Sequence, residues 1–307
     1  MRKSLLCLFL GLCFFFFGFF SCTPNIPISE VRLPDIESVR LDPYAKLSFQ
    51  SIKESSGLVK SRLFKDVYWT HNDSGDHARL FAVTRKGDII KPDETGEYNG
   101  ITIHDAINID WEDITTDNHE NLIIGDLGNN QNTRRDLSIY IIKEPDPFQD
   151  LFAKVSLKVN FYYPDQKNFP PKKMNYDSEA LFWAKEKIYL LTKHRDNRYT
   201  KLYRFDSMNP LKQNPLTYIG SFDIDGQVTG ADASKDGNRL AVLTYRALWL
   251  FEIDHSAVNY FNGKISWLPI IAGQCEGIAI DGNKLLVSNE QRELFEISMD
   301  RLIVVKE

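Results

Sequence analysis

Short apolar runs separated by polar turns fill the chain from Val67 onward, and no stretch sustains a helical period. The runs predict strands at Val67–His71, Leu80–Thr84, Asn121–Gly125, Ser138–Lys143, Lys154–Tyr163, Ile188–Lys193, Lys201–Phe205, Leu216–Phe222, Arg239–Tyr245, Ala247–Ile253, Lys284–Ser288 and Leu294–Ile297. They are rich in Val, Ile, Leu, Tyr, Phe and Trp, the residues that suit a pleated, half-buried surface. Between them lie hairpin sequences such as Lys235-Asp236-Gly237-Asn238 and Asp281-Gly282-Asn283, whose Gly and Asn tolerate positive φ.

The runs are organised by a repeat. Five phrases open with a short apolar strand carrying a carboxylate: Glu54-Ser55-Ser56-Gly57-Leu58, Trp111-Glu112-Asp113-Ile114, Asp177-Ser178-Glu179-Ala180-Leu181, Thr229-Gly230-Ala231-Asp232-Ala233 and Cys275-Glu276-Gly277-Ile278-Ala279. Fourteen residues after four of the acids stands another polar residue, pairing Glu112 with Asp126, Glu179 with Lys193, Asp232 with Arg246 and Glu276 with Glu290. The acids Glu54, Glu112, Glu179, Asp232 and Glu276 are 58, 67, 53 and 44 residues apart. Units of this length, each an up-and-down set of four antiparallel strands, are the blades of a β-propeller. The expected fold is therefore all-β, with five blades; a sixth, degenerate blade would have to lie in an excursion such as Glu144–Lys173. The closing blade is expected to borrow a strand from the other terminus, which removes an exposed edge.

The first residues change the picture from cytosolic to exported. Arg2 and Lys3 precede an apolar stretch, Leu5 to Phe20, followed by Ser21-Cys22. This reads as a signal peptide over 1–21 rather than a membrane span. The Ser21-Cys22 junction resembles the lipobox of bacterial lipoproteins and marks Cys22 for lipidation; an ordinary secretory signal cleaved nearby is the other reading. Residues 22–46, with Pro24, Pro27, Pro34 and Pro43, read as a tether in which Ile36 to Leu41 could pair as an extra strand, and 47–307 as one domain. The expected location is the bacterial cell envelope, as an outer-membrane lipoprotein on its periplasmic or surface face, monomeric and held to the membrane by its lipid. Only Cys275 then remains besides Cys22, so the domain holds no internal disulfide. Loss of Arg2 and Lys3 takes the net charge from −5 to −7, which argues against a nucleic-acid partner and is compatible with a cation site.

A ring of repeats brings equivalent residues to its axis. Small neighbours beside each acid permit the close approach an axis demands. Several converging carboxylates need neutralising, and a hard cation with oxygen ligands, Ca²⁺ above all, does so most simply. Asp73, Glu112, Asp126, Glu179, Glu276 and Glu290 are the candidate metal ligands, and Asn72, Lys193, Arg195, Arg246 and Asn289 the candidate contacts to a small-molecule or anionic substrate. Against this stands a structural reading, in which the acids latch neighbouring blades by accepting backbone N–H groups. The loop His71-Asn72-Asp73-Ser74-Gly75-Asp76-His77 lacks the spacing of an EF-hand. Gly-x-Ser-x-Gly, His-Glu-x-x-His and Gly-rich phosphate loops are absent. His71 and His194, at strand tips, are the candidate acid/base groups, and the five tryptophans are expected in the core.

At Asp177-Ser178-Glu179-Ala180-Leu181, Cys275-Glu276-Gly277-Ile278-Ala279 and Leu286-Val287-Ser288-Asn289-Glu290 the chain resembles the phytase-like and esterase-like β-propellers of bacteria. It is similar, more loosely, to the gluconolactonase and paraoxonase group. The resemblance spans most of residues 47–300. It implies a calcium-bearing propeller that hydrolyses a phosphoester, ester or lactone at its channel mouth, with Glu179, Glu276, Asn289 and Glu290 as cation or substrate contacts. The dense Lys/Arg cluster that phytate would require is missing. The expectation is thus a metal-dependent hydrolase, set against a non-catalytic binding or scaffold lipoprotein.

Overall fold

A computed structural model describes residues 27–93 and 96–307; the signal segment and Cys22 lie outside these. Strand pairing sorts the chain into sheets that follow one another in sequence. The first contains Gly57–Lys60, Val67–His71, Arg79–Thr84 and the short Ile89–Ile90, with Ile101–His104 also joined to Arg79–Thr84. The second runs Trp111–Thr116, Asn121–Asp126, Ser138–Lys143 and Phe152–Tyr162. The third is Asp177–Ala184, Lys187–Lys193, Tyr199–Phe205 and Asn214–Asp223. The fourth comprises Val228–Ala233, Arg239–Thr244, Ala247–Glu252 and Lys264–Ile271. The fifth is Cys275–Asp281, Lys284–Asn289, Glu293–Ser298 and, from the other end of the chain, Ala45–Lys46.

The first strand of each sheet is the innermost, and these strands pack side by side in a closed ring: first on second, second on third, third on fourth, fourth on fifth, fifth on first. The protein is a β-propeller. Glycine makes the close packing at the axis feasible. A Cβ on Gly230 would stand 2.6 Å from the Glu276 carbonyl oxygen, and one on Gly57 would stand 2.9 Å from the Ile114 nitrogen. The ring is cross-linked by polar side chains: Ser56 Oγ donates to Glu112 O at 3.2 Å, and Thr229 Oγ1 to Cys275 O at 2.7 Å. Ser55 and Ser288 share a hydrogen bond of 2.8 Å that joins first sheet to fifth.

Between sheets the core is apolar and aromatic. Trp69, Trp111 and Trp249 are fully buried, and Trp183 and Trp267 nearly so. Truncating a buried aromatic of this size costs about 3–5 kcal/mol. Phe152–Tyr162, which falls in the excursion where an extra blade might lie, is the outer strand of the second sheet.

Residues 22–46 differ from a free tether wherever they are described. Ile28–Ser29 pairs in parallel with Ser221–Phe222, Val39–Arg40 in parallel with Ile270–Ile271, and Ala45–Lys46 antiparallel with Glu293–Leu294. Leu41 and Leu47 are buried. The physical reason is the edge: the outermost strand of each sheet carries unpaired N–H and C=O groups, and the segment satisfies some of them.

Candidate functional site at the channel mouth

One irregularity recurs on the inner strands. In the second sheet Trp111 pairs with Asp126 and Asp113 with Gly125, leaving Glu112 unpaired as a bulge. Glu179 is skipped in the same way between Ser178 and Ala180, Thr229 between Val228 and Gly230, and Glu276 between Cys275 and Gly277. In the first sheet Ser56 holds the corresponding place, its N–H bonded to His71 O at 3.2 Å while Gly57 pairs with His71. A bulge bends the strand and re-aims one side chain. Here it turns Glu112, Glu179, Glu276 and Ser56 into a single polar cavity of about 220 Å³ at one end of the axis, whose wall also includes Glu54, Asp73, Glu290, Lys193, Arg195, Asn130 and Tyr245.

A hydrogen-bonded chain crosses it. Lys193 Nζ lies 2.8 Å from Glu179 Oε2 and donates to the Tyr245 hydroxyl at 2.9 Å, which in turn donates to Glu276 Oε1 at 3.0 Å. Arg195 is paired at 2.7 Å with Asp177, lies 3.6 Å from Glu179, and bonds Asn130. On the other side, carboxylate oxygens of Asp73, Asp110 and Glu112 all lie within 4.8 Å of one another. Gly128 makes room for them, since a Cβ there would fall 2.2 Å from both Asp110 Oδ2 and Glu112 Oε1.

Six carboxylates line the cavity against two basic groups, both already engaged by acids. The electrostatic consequence is proton retention. Burial, then the Glu179 charge, pushes Glu276 up to about 8. Burial pushes Glu179 up to about 7 although Lys193 opposes it. Glu112 is held well above the usual carboxylate range by burial and then by Glu179, Asp73 and Asp110, and Asp110 rises to about 6 through burial and Asp73. Burial disfavours the Lys193 charge, but Glu179 and Tyr245 more than offset it and its pKa is raised.

Of the residues singled out in the sequence, Asp73, Glu112, Glu179, Glu276, Glu290, Lys193 and Arg195 meet here. The others lie elsewhere. Asp126 is fully buried beside the site, accepting from Asp110 N at 3.1 Å and from Arg134 at 3.0 Å. Asn72 builds its own loop, accepting from Lys53 N and donating to Ser51 O and Asp76. Asn289 caps a turn through Ala272 O and Glu293. Arg246 is exposed on a hairpin outside the cavity. His71 is completely buried, edge-on to Trp111 and with Nε2 unpartnered. His194 bonds Asn197 at 2.8 Å, and burial lowers it to about 4. Neither imidazole lines the cavity. Cys275 is buried, its thiol pushed up to about 12 by burial.

Two acids of the repeat are latches. Asp113 Oδ1 accepts from Ile114 N at 2.8 Å, and Oδ2 from Leu181 N at 2.8 Å and Ala231 N at 3.3 Å. Asp232 accepts from Ile280 N at 2.8 Å. The repeat position in the fourth sheet belongs to Thr229, three residues before Asp232, so Tyr245 rather than Arg246 reaches the mouth. The signal that sorts them is the register of the small neighbours, not their presence: in four sheets a small residue follows the bulge, and Gly57, Ala180, Gly230 and Gly277 align Ser56, Glu179, Thr229 and Glu276, while Asp113 follows Glu112.

No protein-family model matches the chain, and no curated protein does either. Solved structures similar to it include a protein of Bacteroides uniformis provisionally assigned as a 6-phosphogluconolactonase, at 15% identity and TM-score 0.40 over 82% of this chain and 70% of that one. Another is the β-propeller domain of Cps50 (Swd1) from Myceliophteria thermophila, at 10% identity and TM-score 0.46 over 87% of this chain and 88% of that one. A third is the Pan2 WD40 domain from Neurospora crassa, at 10% identity and TM-score 0.41 over 88% and 97%. A propeller hosts many unrelated activities, so what this chain does must be argued from its cavity.

Proposed function

We propose that the channel mouth binds a divalent cation, Ca²⁺ in preference to Mg²⁺, and that the protein hydrolyses a small anionic phosphoester, ester or lactone there, in the bacterial envelope to which Arg2-Lys3, the apolar leader and Cys22 direct it. The observation that carries this reading is the convergence of Glu112, Glu179 and Glu276, each re-aimed by a bulge, with Asp73 in one cavity, and the approach of Asp110 to Asp73 and Glu112 beside it. Asp73, Asp110 and Glu112 would hold the cation; oxygen donors on several loops suit the flexible coordination of Ca²⁺. A bound cation would polarise the scissile oxygen and lower the pKa of its water. Lys193 and Arg195 face the substrate's charge. Glu276, raised to about 8, hydrogen-bonded to Tyr245 and, unlike Glu179, not paired directly with a lysine, is the group placed to exchange a proton near neutral pH, in place of either buried histidine.

A second reading has its own support. Lys193 and Arg195 are already paired with Glu179 and Asp177, so a cation bound to the remaining acids could serve only to neutralise the axis of a binding scaffold. Thermal unfolding of the EDTA-stripped full chain, titrated with Ca²⁺ and Mg²⁺, tests the shared premise: a Ca²⁺-selective rise of about 5 °C is expected at roughly a hundredfold excess over Kd. No rise leaves the acids without a cation. Hydrolysis of model esters, lactones and phosphoesters with Ca²⁺ present, lost in Glu276→Gln, distinguishes enzyme from scaffold.

A further inference from the structure

The channel has a second end. The bulged residues stand near the start of their inner strands, and the far ends of those strands, Lys60, Thr116, Ala233 and Ile280, meet at the opposite face. There a solvent-open cavity of about 310 Å³ is lined by Lys60, Arg62, Lys235 and Arg239, with Asp232 as the single carboxylate in its wall. The charge balance of the mouth is inverted.

Lys60 is neutralised by Asp281. Among the described residues, Arg62, Lys235 and Arg239 have no carboxylate at ion-pair distance. Arg62 donates to Asn118 Oδ1 at 2.8 Å and Ala233 O at 3.3 Å, and its guanidinium lies over the Trp183 ring at 5.4 Å. These neutral acceptors fix the fork without cancelling its charge. Burial lowers the Arg62 pKa, opposed in part by the more distant charges of Asp232 and Asp117. Arg239 reaches only Met299 Sδ and Gly282 O, each at 3.5 Å. Lys235 is exposed on its hairpin turn. The nearby acids act on these cations only from beyond ion-pair distance and are hydrogen-bonded to other groups: Asp232 to Ile280 N, Asp117, in the adjoining cavity with Glu120, to His119 N and Asn121 N, and Asp236, beside Arg239, to Ser234 Oγ and Asn238 N. The hydroxyls are also engaged. Ser61 accepts from Leu63 N and Phe64 N, Thr116 donates to Asn121 O, and Ser234 donates to Asp236. What the cavity offers a ligand is positive charge from three side chains, two of them planar forks that match tetrahedral oxyanions bidentately.

We propose that this basal cavity binds a small multivalent oxyanion of the phosphate class, held by Arg62, Lys235 and Arg239. It makes no use of the acidic mouth, and it is tested with EDTA present so that cation binding there plays no part. The full chain is titrated with inorganic phosphate, followed by calorimetry and thermal unfolding, against chloride at matched ionic strength. One-site binding is expected, with a Tm rise of about 5 °C at roughly a hundredfold excess over Kd. Lys235→Gln and Arg239→Gln, both removable without opening the core, are each expected to weaken phosphate binding by about tenfold and leave Tm in chloride unchanged. Arg62→Lys, which keeps the charge and loses the fork, weakens it as well. Sedimentation with vesicles containing phosphatidic acid, competed by phosphate, would assign the ligand to a lipid headgroup; phosphate binding without sedimentation assigns it to solution. Equal shifts in phosphate and chloride, or a Lys235→Gln/Arg239→Gln double variant with undiminished phosphate affinity, would overturn the proposal.

Discussion

At the scale of single residues the mouth is governed by shared protons. Glu276, Glu179 and Glu112 have folded-state pKa values above those of an exposed glutamate, so between about pH 4.5 and 8 these three groups hold more protons in the folded chain than in the unfolded one. Their contribution to the stability of the cation-free protein should therefore fall as pH rises through this window; buried His71 and His194, whose pKa values are lowered, act in the opposite sense up to about pH 6.5, so the net fall is expected above that. A cation bound as proposed would replace those protons, so its affinity should climb over the same range with release of protons on binding. Tm recorded against pH with EDTA and with Ca²⁺ checks both signs; parallel curves would contradict the linkage. Lys193 is the residue on which the network depends. Lys193→Met strands Glu179 in a buried site without its partner and should cost about 3–5 kcal/mol in denaturant unfolding at pH 8, less at pH 5 where Glu179 takes up a proton.

At the scale of elements, the inner strand is a device with two outputs. Its bulge aims a side chain at the mouth, and the small residue after the bulge lets the next strand approach. Gly230→Ala would set a Cβ 2.6 Å from a backbone oxygen, which no side-chain rotation relieves, and is expected to destabilise by about 2–3 kcal/mol without removing any mouth ligand. Urea unfolding measures the first part and Ca²⁺ titration the second. The strands themselves were legible in the sequence: Ser138–Lys143 runs as expected, and most others differ by a residue or two at their ends. Ile101–His104, Lys264–Ile271 and Ile303–Lys306, all at sheet rims, are not among the strands expected from the sequence. The acids of the repeat could be recognised as a set, but not sorted. Glu112 and Asp113 are adjacent in sequence; Glu112, left unpaired by the bulge, lines the cavity while Asp113 bonds the neighbouring inner strands, and the position of a bulge is not encoded in the spacing of the acids. His71 and His194 stand at strand tips, as the pattern implies, but core packing covers them, and burial is a tertiary property that spacing does not encode.

At the scale of the whole molecule, the two ends of the chain close the ring and cover its rims. Ala45–Lys46 completes the fifth sheet, while Val39–Arg40 and Ile303–Lys306 share the outer edge of Lys264–Ile271. Deleting residues 1–46 should lower Tm by about 5–10 °C and promote association through the bared edges; light scattering and thermal unfolding of the truncated and full chains decide this. Asp113 sets a different constraint on the molecule. From the second inner strand it bonds Leu181 on the third and Ala231 on the fourth, almost wholly shielded from water. Along that strand it stands between Glu112, which lines the mouth, and Thr116, which lines the basal cavity, and the two cavities share no wall residue. Each is a door that can therefore be rebuilt by substitution while the wall of the other stays as it was.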